Sequence, residues 1–290
     1  MAEEEGYAQP DTVEAAISLL GMAGRDARVM AGGTDVLVQL HMEMIDPDLI
    51  VDIKNIPELR TISEDGGRFR IGAAVSGMEL MDHAAFNATW PGVMDGVALI
   101  GSIQVKGRAS IGGNLCNASP AADSVPPMIA AGAVAVIAGP SGKREVPVED
   151  VIVGPGKNSL DAGEIVLAFM FPSRAPHSGD CYMRLTPRTE MDIAVVGAAV
   201  NLTLNDAGDC VAARVALGAV AATPLLVAEA ANALIGTKVD DAALAKMAAA
   251  VSAACKPIDD KRGTIKYRTK TAAVIARRAA EKALERARGN

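Results

Sequence analysis

The stretch Ala98-Leu-Ile-Gly-Ser-Ile-Gln-Val-Lys-Gly-Arg-Ala-Ser-Ile-Gly-Gly-Asn-Leu-Cys-Asn-Ala-Ser-Pro-Ala-Ala-Asp-Ser-Val-Pro-Pro127 decides how this chain is read. At its centre, Ser110-Ile-Gly-Gly-Asn114 sets two adjacent glycines just after an apolar approach and just before a small polar residue. About eighty residues earlier, Ala31-Gly-Gly-Thr-Asp-Val-Leu37 repeats the arrangement. Backbone without Cβ atoms can turn its N–H groups around an anion, and a helix start adds electrostatic attraction. Two such turns in one unit would suit the two sides of a dinucleotide pyrophosphate. On these residues alone, two ordinary tight turns fit as well. The single G-x-G-x-x-G of a Rossmann unit is not found.

Composition narrows the classes. With 290 residues, half of them apolar, the chain can bury a sizeable core and divide into two or three domains. One Trp, three Tyr and four Phe offer no base-stacking platform, and a net charge of −7 argues against a nucleic-acid partner. The longest apolar runs are broken by Gly, Pro or charge before they reach a membrane span, and Met1-Ala-Glu-Glu-Glu5 lacks the basic start of a signal peptide. A soluble, cytoplasmic protein is the expectation. Cys116, Cys181, Cys210 and Cys255 stand singly, outside any zinc or iron–sulfur spacing, and are expected to be packing residues, Cys116 being notable for its place in the second turn. His41, His83 and His177 form no triad or metal pattern.

Three parts are expected. Residues 1–57 read as a small α/β unit with a parallel sheet. Asp11-Thr-Val-Glu14 resembles a capping box ahead of Val13, Ala16, Ile17 and Leu20 at helical spacing, strands fall at Ala27–Met30 and Leu49–Ile53, and Thr34 or Asp35 can cap the turn after the first glycine pair. Residues 58–173 read as an antiparallel sheet with helices: a strand at Phe69–Gly72, a capping box at Ser76–Glu79, a helix over Met78–Phe86, another from Thr89 with Pro91 in its first turn, one near Ala121–Ala131, then strands at 134–138, 142–146, 151–153 and 165–171. Pro172-Ser-Arg-Ala-Pro-His-Ser-Gly179 is the expected boundary. Residues 178–290 read as a β-ribbon (193–204 and 211–220) with a helical cluster starting at Thr223-Pro224, Asp240 and Thr269.

The 98–127 segment closely resembles the flavin-binding signature of the molybdenum hydroxylase FAD subunits, the medium subunits of xanthine dehydrogenase and carbon monoxide dehydrogenase type. Ala31–Leu37 is similar to the first FAD motif of that family. Arg184-Leu-Thr-Pro-Arg188 with Asp192-Ile-Ala194 looks like its third block, and Asp260–Thr264 through Arg268 and Arg277-Arg278 resembles its C-terminal domain. The resemblance spans nearly the whole chain in four ordered blocks. It implies an α+β fold: a two-part FAD-binding domain of the vanillyl-alcohol-oxidase (PCMH) type followed by a C-terminal α+β domain.

Roles follow by resemblance. Ala31, Gly32, Gly33, Thr34, Asp35 and Val36 would wrap part of the FAD pyrophosphate, with the Thr34 hydroxyl as a donor and Asp35 turned away to cap. Ser110, Ile111, Gly112, Gly113 and Asn114 would form the facing half, where Cβ atoms at 112 and 113 would block approach. Asp123 would accept hydrogen bonds from FAD hydroxyls; the alternative is a helix-start Asp satisfied by its own backbone. Asn117 and Ser119 lie on the same loop. Arg184 stands where the family commonly has Lys near the flavin, and a cation there favours the reduced, negatively charged ring. Val166 and Ile100 match apolar positions near the ring system, Ile100 replacing an aromatic of some relatives.

Gly-Gly-Thr-Asp resembles the xanthine-dehydrogenase branch more than the Gly-Gly-His-Ser of carbon monoxide dehydrogenases. The cysteine-rich insertion of the hydroxybenzoyl-CoA reductase branch is missing. The resemblance implies non-covalently held FAD, no catalytic or metal residue on this chain, and a relay: electrons arrive from [2Fe–2S] clusters of a small subunit, fed by a molybdopterin-binding large subunit, and leave to an external acceptor. A dimer of heterotrimers is the implied assembly. A self-contained flavin oxidoreductase and a flavin-free assembly subunit are the alternatives.

Overall fold

The computed structural model describes residues 2–4, 6–22, 24 and 26–289. Its first unit is a four-stranded sheet, order β1-β2-β4-β3, built from β1 (Ala2–Glu4), β2 (Tyr7–Gln9), β3 (Ala27–Met30) and β4 (Leu49–Asp52). β2 and β3 both run parallel to β4, as the alternation of elements predicts, while β1 turns back antiparallel on β2. Helix α1 (Val13–Leu20) buries Val13, Ala16 and Leu19 against the sheet. Its cap is Thr12, whose side chain accepts the Ala15 N–H; the expected Asp11–Glu14 box is one residue out of register. After the first glycine pair comes α2 (Val36–His41), which has no buried residue. Asp35 occupies its N-cap position without a capping bond, so neither expected cap forms there.

The second unit is a five-stranded, wholly antiparallel sheet, order β5-β6-β11-β7-β8: β5 (Ile62–Asp65), β6 (Arg68–Gly72), β7 (Val134–Gly139), β8 (Gly142–Pro147) and β11 (Ile165–Phe171), with the small hairpin β9 (Ile152–Gly154)–β10 (Lys157–Asn158) beside it. The Ser76–Glu79 capping box closes in both directions and starts α3 (Gly77–Met81). The single helix expected over Met78–Phe86 is broken. His83 takes extended backbone and its Nδ1 accepts the Phe86 N–H, starting α4 (Ala84–Thr89) afresh. That break turns Phe86 edge-on to Phe69 and Phe171, at 5.3 and 5.0 Å between ring centres, in the middle of the core. Then follow α5 (Pro91–Ala98), α6 (Ile103–Lys106), α7 (Ile111–Cys116) and α8 (Val125–Ala131), the last starting four residues beyond the expected Ala121.

The third unit is an antiparallel sheet, β12 (Ser178–Leu185), β13 (Val196–Leu204), β14 (Cys210–Gly218) and β15 (Leu225–Leu226), backed by α9 (Ala228–Asn232), α10 (Asp241–Ala254) and α11 (Ile265–Gly289). β12 was not expected. Thr223-Pro224 starts no helix: the chain pairs as β15 there, and α9 begins at Ala228 after an uncapped Val227. α11 starts at Ile265, earlier than Thr269, because the Thr264 hydroxyl accepts the Tyr267 N–H. Its inner face is a row of small residues (Ala272, Ala276, Ala279, Ala280, Ala283 and Ala287), which lets the helix lie directly on β12 and β13. Arg286 joins this unit to the second, donating to Asp95 of α5 at 2.7 and 3.0 Å and to the Asp180 carbonyl at 2.7 Å.

Candidate functional site

The first glycine turn leaves the C-terminal end of β3, which runs parallel to β4. That is where open α/β sheets bind ligands. Gly33 sits at φ +77, which a side chain rarely adopts. Gly32 lies against the second unit: a Cβ on it would overlap the Arg108 carbonyl, and Arg108 Nε donates back to the Gly32 carbonyl at 3.2 Å. The two glycine segments are thus neighbours in space.

The second pair divides its tasks, which corrects the expectation that both glycines clear an approach. A Cβ on Gly112 would overlap the Ala73 carbonyl, so Gly112 is a packing glycine. A Cβ on Gly113 would meet only Ser110 Oγ, at 3.4 Å, with open space beyond. Ser110 caps α7, its Oγ accepting the Gly113 N–H at 3.0 Å. Ile111 is buried core, as is Val166 on β11, whereas Ala31, Thr34, Val36 and Ile100 are half-buried.

Polar side chains stitch the site together. Asn117 donates to Asp35 at 3.2 Å and accepts from Gln39 of α2 at 3.1 Å, bridging the two motifs. Asn114 Oδ1 accepts from both the N–H and the hydroxyl of Ser124, fixing α7 to the start of α8. Ser119 closes a local turn by accepting the Ala121 N–H. Next to Ser124, the buried Asp123 carboxylate accepts from Tyr182 Oη at 2.8 Å and from Arg184 Nη1 at 2.5 Å. The alternative of an Asp satisfied by its own backbone is not what forms. Burial raises Asp123 to about 6, against the lowering by the Arg184 charge and the Tyr182 hydrogen bond. Arg184 also reaches the Asp192 carbonyl at 3.3 Å, so it enters the site as the partner of Asp123.

Sequence reading missed Tyr182. Its signal was present: residues two apart on a strand share a face, so Tyr182 stands beside Arg184 once β12 is recognised. An open cleft of ≈ 530 Å³ is lined by Lys54, Arg60, Ser76, Glu79 and Arg108. Lys54 and Arg60 are paired there with Asp52 and Glu79. Among the described residues, no group of three or more His, Cys, Asp or Glu could hold a metal, and no helix is long and apolar enough to cross a membrane.

The geometry suits a flavin dinucleotide: N–H-rich turns from two units, one glycine opening onto free space, and a buried carboxylate just before α8. Comparison with known proteins agrees. Residues 2–174 match the family described as FAD binding domain in molybdopterin dehydrogenase, and residues 181–283 match the CO dehydrogenase flavoprotein C-terminal domain. The chain belongs to the FAD-binding medium subunits of the molybdenum hydroxylases and is an oxidoreductase subunit. It is 35% identical over 282 residues to the carbon monoxide dehydrogenase medium chain of Afipia carboxidovorans, covering 97% of each. It is 37% identical over 228 residues to the xanthine dehydrogenase FAD-binding subunit of Escherichia coli O157:H7, covering 78% of this chain and 77% of that one. Among solved structures, the CO dehydrogenase of Oligotropha carboxidovorans superposes with a TM-score of 0.93 at 34% identity over 99% of each chain. Quinoline 2-oxidoreductase of Pseudomonas putida 86 superposes at 0.89 with 29% identity over 98% of each. The expected family and fold class stand.

Proposed function

We propose that this chain is the electron relay of a cytoplasmic three-subunit molybdenum hydroxylase, with the molybdopterin on a large subunit and [2Fe–2S] clusters on a small one, assembled as a dimer of heterotrimers. When bound, FAD supplies reversible electron storage between a one-electron donor and an external acceptor. The chain's own residues hold and tune it. Backbone N–H groups of 31–35 and of the α7 start receive the pyrophosphate, with the Thr34 hydroxyl beside them. Gly113 leaves room for approach, Asn117 holds the two turns in register, Asn114 fixes the second turn to the start of α8, and Asp123 takes ligand hydroxyls. Arg184 keeps Asp123 charged and adds positive charge at that end of the site, while Ile100 and Val166 contribute apolar surface. The division into 1–57, 58–173 and 178–290 belongs to the same proposal, the first two parts gripping the cofactor between them.

The observation that carries this reading is the continuous polar path Asp35–Asn117–α7–Asn114–Ser124, which ends beside the Asp123–Arg184 pair. It joins both glycine turns to the carboxylate through a chain of hydrogen bonds and one short helix. The test is purification of the full chain with its partners, followed by metal and flavin analysis. The relay reading expects molybdenum, iron and FAD together, and reduction of the flavin only through the iron–sulfur partner. An isolated, FAD-loaded chain that turned over an organic substrate unaided would overturn it.

A further inference from the structure

Tyr182 lies outside both glycine turns and is 3% exposed, yet its hydroxyl points to the site, donating to Asp123. A phenylalanine would fill the same apolar volume. The neighbouring strand makes room for the extra oxygen: Gly197 pairs with Arg184 across β12 and β13, and a Cβ on Gly197 would overlap the Tyr182 hydroxyl. On the helix side, a Cβ on Gly96 of α5 would stand 2.5 Å from the Asp123 carbonyl oxygen. The loop carrying Asp123 is therefore pressed between α5 and the third unit's sheet. The two donors come from one face of β12, two residues apart, one to each carboxylate oxygen. A carboxylate has about four lone-pair positions, of which these bonds use two.

We propose that Tyr182 is a positioning residue of the flavin site: with Arg184 it fixes the Asp123 carboxylate in one rotamer and in its ionised form, leaving its remaining lone pairs for hydroxyls of the bound dinucleotide. This rests on the assignment of Asp123 to FAD made above. The charged surroundings are few. β12 brings Tyr182 and Arg184 and, two residues before Tyr182, the buried Asp180, which accepts the Gly92 N–H at 2.8 Å and is paired with Arg174 at 2.8 Å. α5 brings Asp95, which accepts the Tyr182 backbone N–H at 3.2 Å and is paired with Arg286. The loop after β12 brings Asp192, whose carboxylate lies beside Arg188 and Arg262. α8 and β13 carry no ionisable side chain. Burial and the two β12 donors thus set the Asp123 charge against each other, and removal of the Tyr182 hydroxyl shifts that balance towards the neutral acid.

The test is FAD affinity of the full chain, titrated by flavin fluorescence from acid to neutral pH, for wild type, Tyr182→Phe and Asp123→Asn. Wild type should bind with constant affinity above about pH 6 and weaken by up to about tenfold per pH unit below it. Tyr182→Phe should fold as wild type by circular dichroism, with the break moved to higher pH. Asp123→Asn should bind weakly with no break. A Tyr182→Phe chain whose break stays at the wild-type position, whatever its overall affinity, overturns the proposal. So does one that fails to fold, since the hydroxyl would then serve the core. A break that persists in Asp123→Asn, or a wild type that binds no FAD, overturns the assignment of Asp123 itself.

Discussion

Gly112 and Gly113 are adjacent in sequence and opposite in use. Gly112 lies on the Ala73 carbonyl and Gly113 faces open space. Gly112→Ala should therefore destabilise the fold by about 1–3 kcal/mol, the usual range for overpacking, read as a lower Tm. Gly113→Val should keep its Tm within a few degrees and lose FAD retention; normal flavin content in that variant would make the segment an ordinary turn. Nothing in the sequence separates the two glycines, because the difference is set by Ala73, nearly forty residues away. Asp123 gives a pH prediction whose sign follows from its raised value. Burial lifts its folded-state pKa to about 6, above the ordinary carboxylate value of 3.8. Its contribution then favours folding at low pH and is lost as pH rises through about 6. The unfolding free energy of wild type minus that of Asp123→Asn should fall across that interval. A difference that is flat or rises with pH would contradict the burial argument.

Helices with local caps were legible, and those set by distant partners were not. The Ser76–Glu79 box can be read from a few neighbouring residues and forms as expected, and the helix expected from Asp240 forms as α10, with Asp240 as its cap. At α1 two capping residues stand side by side, and only backbone geometry chooses: Thr12 is extended and bonds Ala15. Thr12→Ala should cost about 1 kcal/mol and Asp11→Ala less than about 0.5, measured by denaturant unfolding. β12 was hidden because Asp180 and Arg184 interrupt an apolar strand pattern. They are tolerated inside because other units supply partners: Asp180 accepts the Gly92 N–H and pairs with Arg174 at 2.8 Å, and Arg184 meets Asp123. Such partners cannot be seen from within the strand. Thr223-Pro224 fails as a helix start for a related reason, since Leu225 and Leu226 find pairing partners on β14.

The whole molecule places its units so that the site is completed from outside the cofactor-binding folds. The third unit contributes Tyr182 and Arg184 to Asp123, and Arg286 of its last helix ties it to α5 through Asp95. Arg286→Ala should lower Tm by an amount equivalent to about 1.5–3 kcal/mol, the range for hydrogen bonds to charged groups, and should weaken FAD binding with no direct contact to the ligand. Unchanged FAD affinity in Arg286→Ala would show that docking of the third unit leaves Asp123 undisturbed. At this scale the family resemblance carried more than the residues did: it gave the order and kind of the units, while local patterns gave their elements. The central claim is that two glycine turns and one buried carboxylate hold FAD on this chain. Its most direct test is the visible spectrum of the purified full chain after incubation with FAD and removal of excess. The account predicts a retained flavin spectrum at close to one FAD per chain, released without denaturing a covalent bond. A colourless chain that cannot be reconstituted would contradict it.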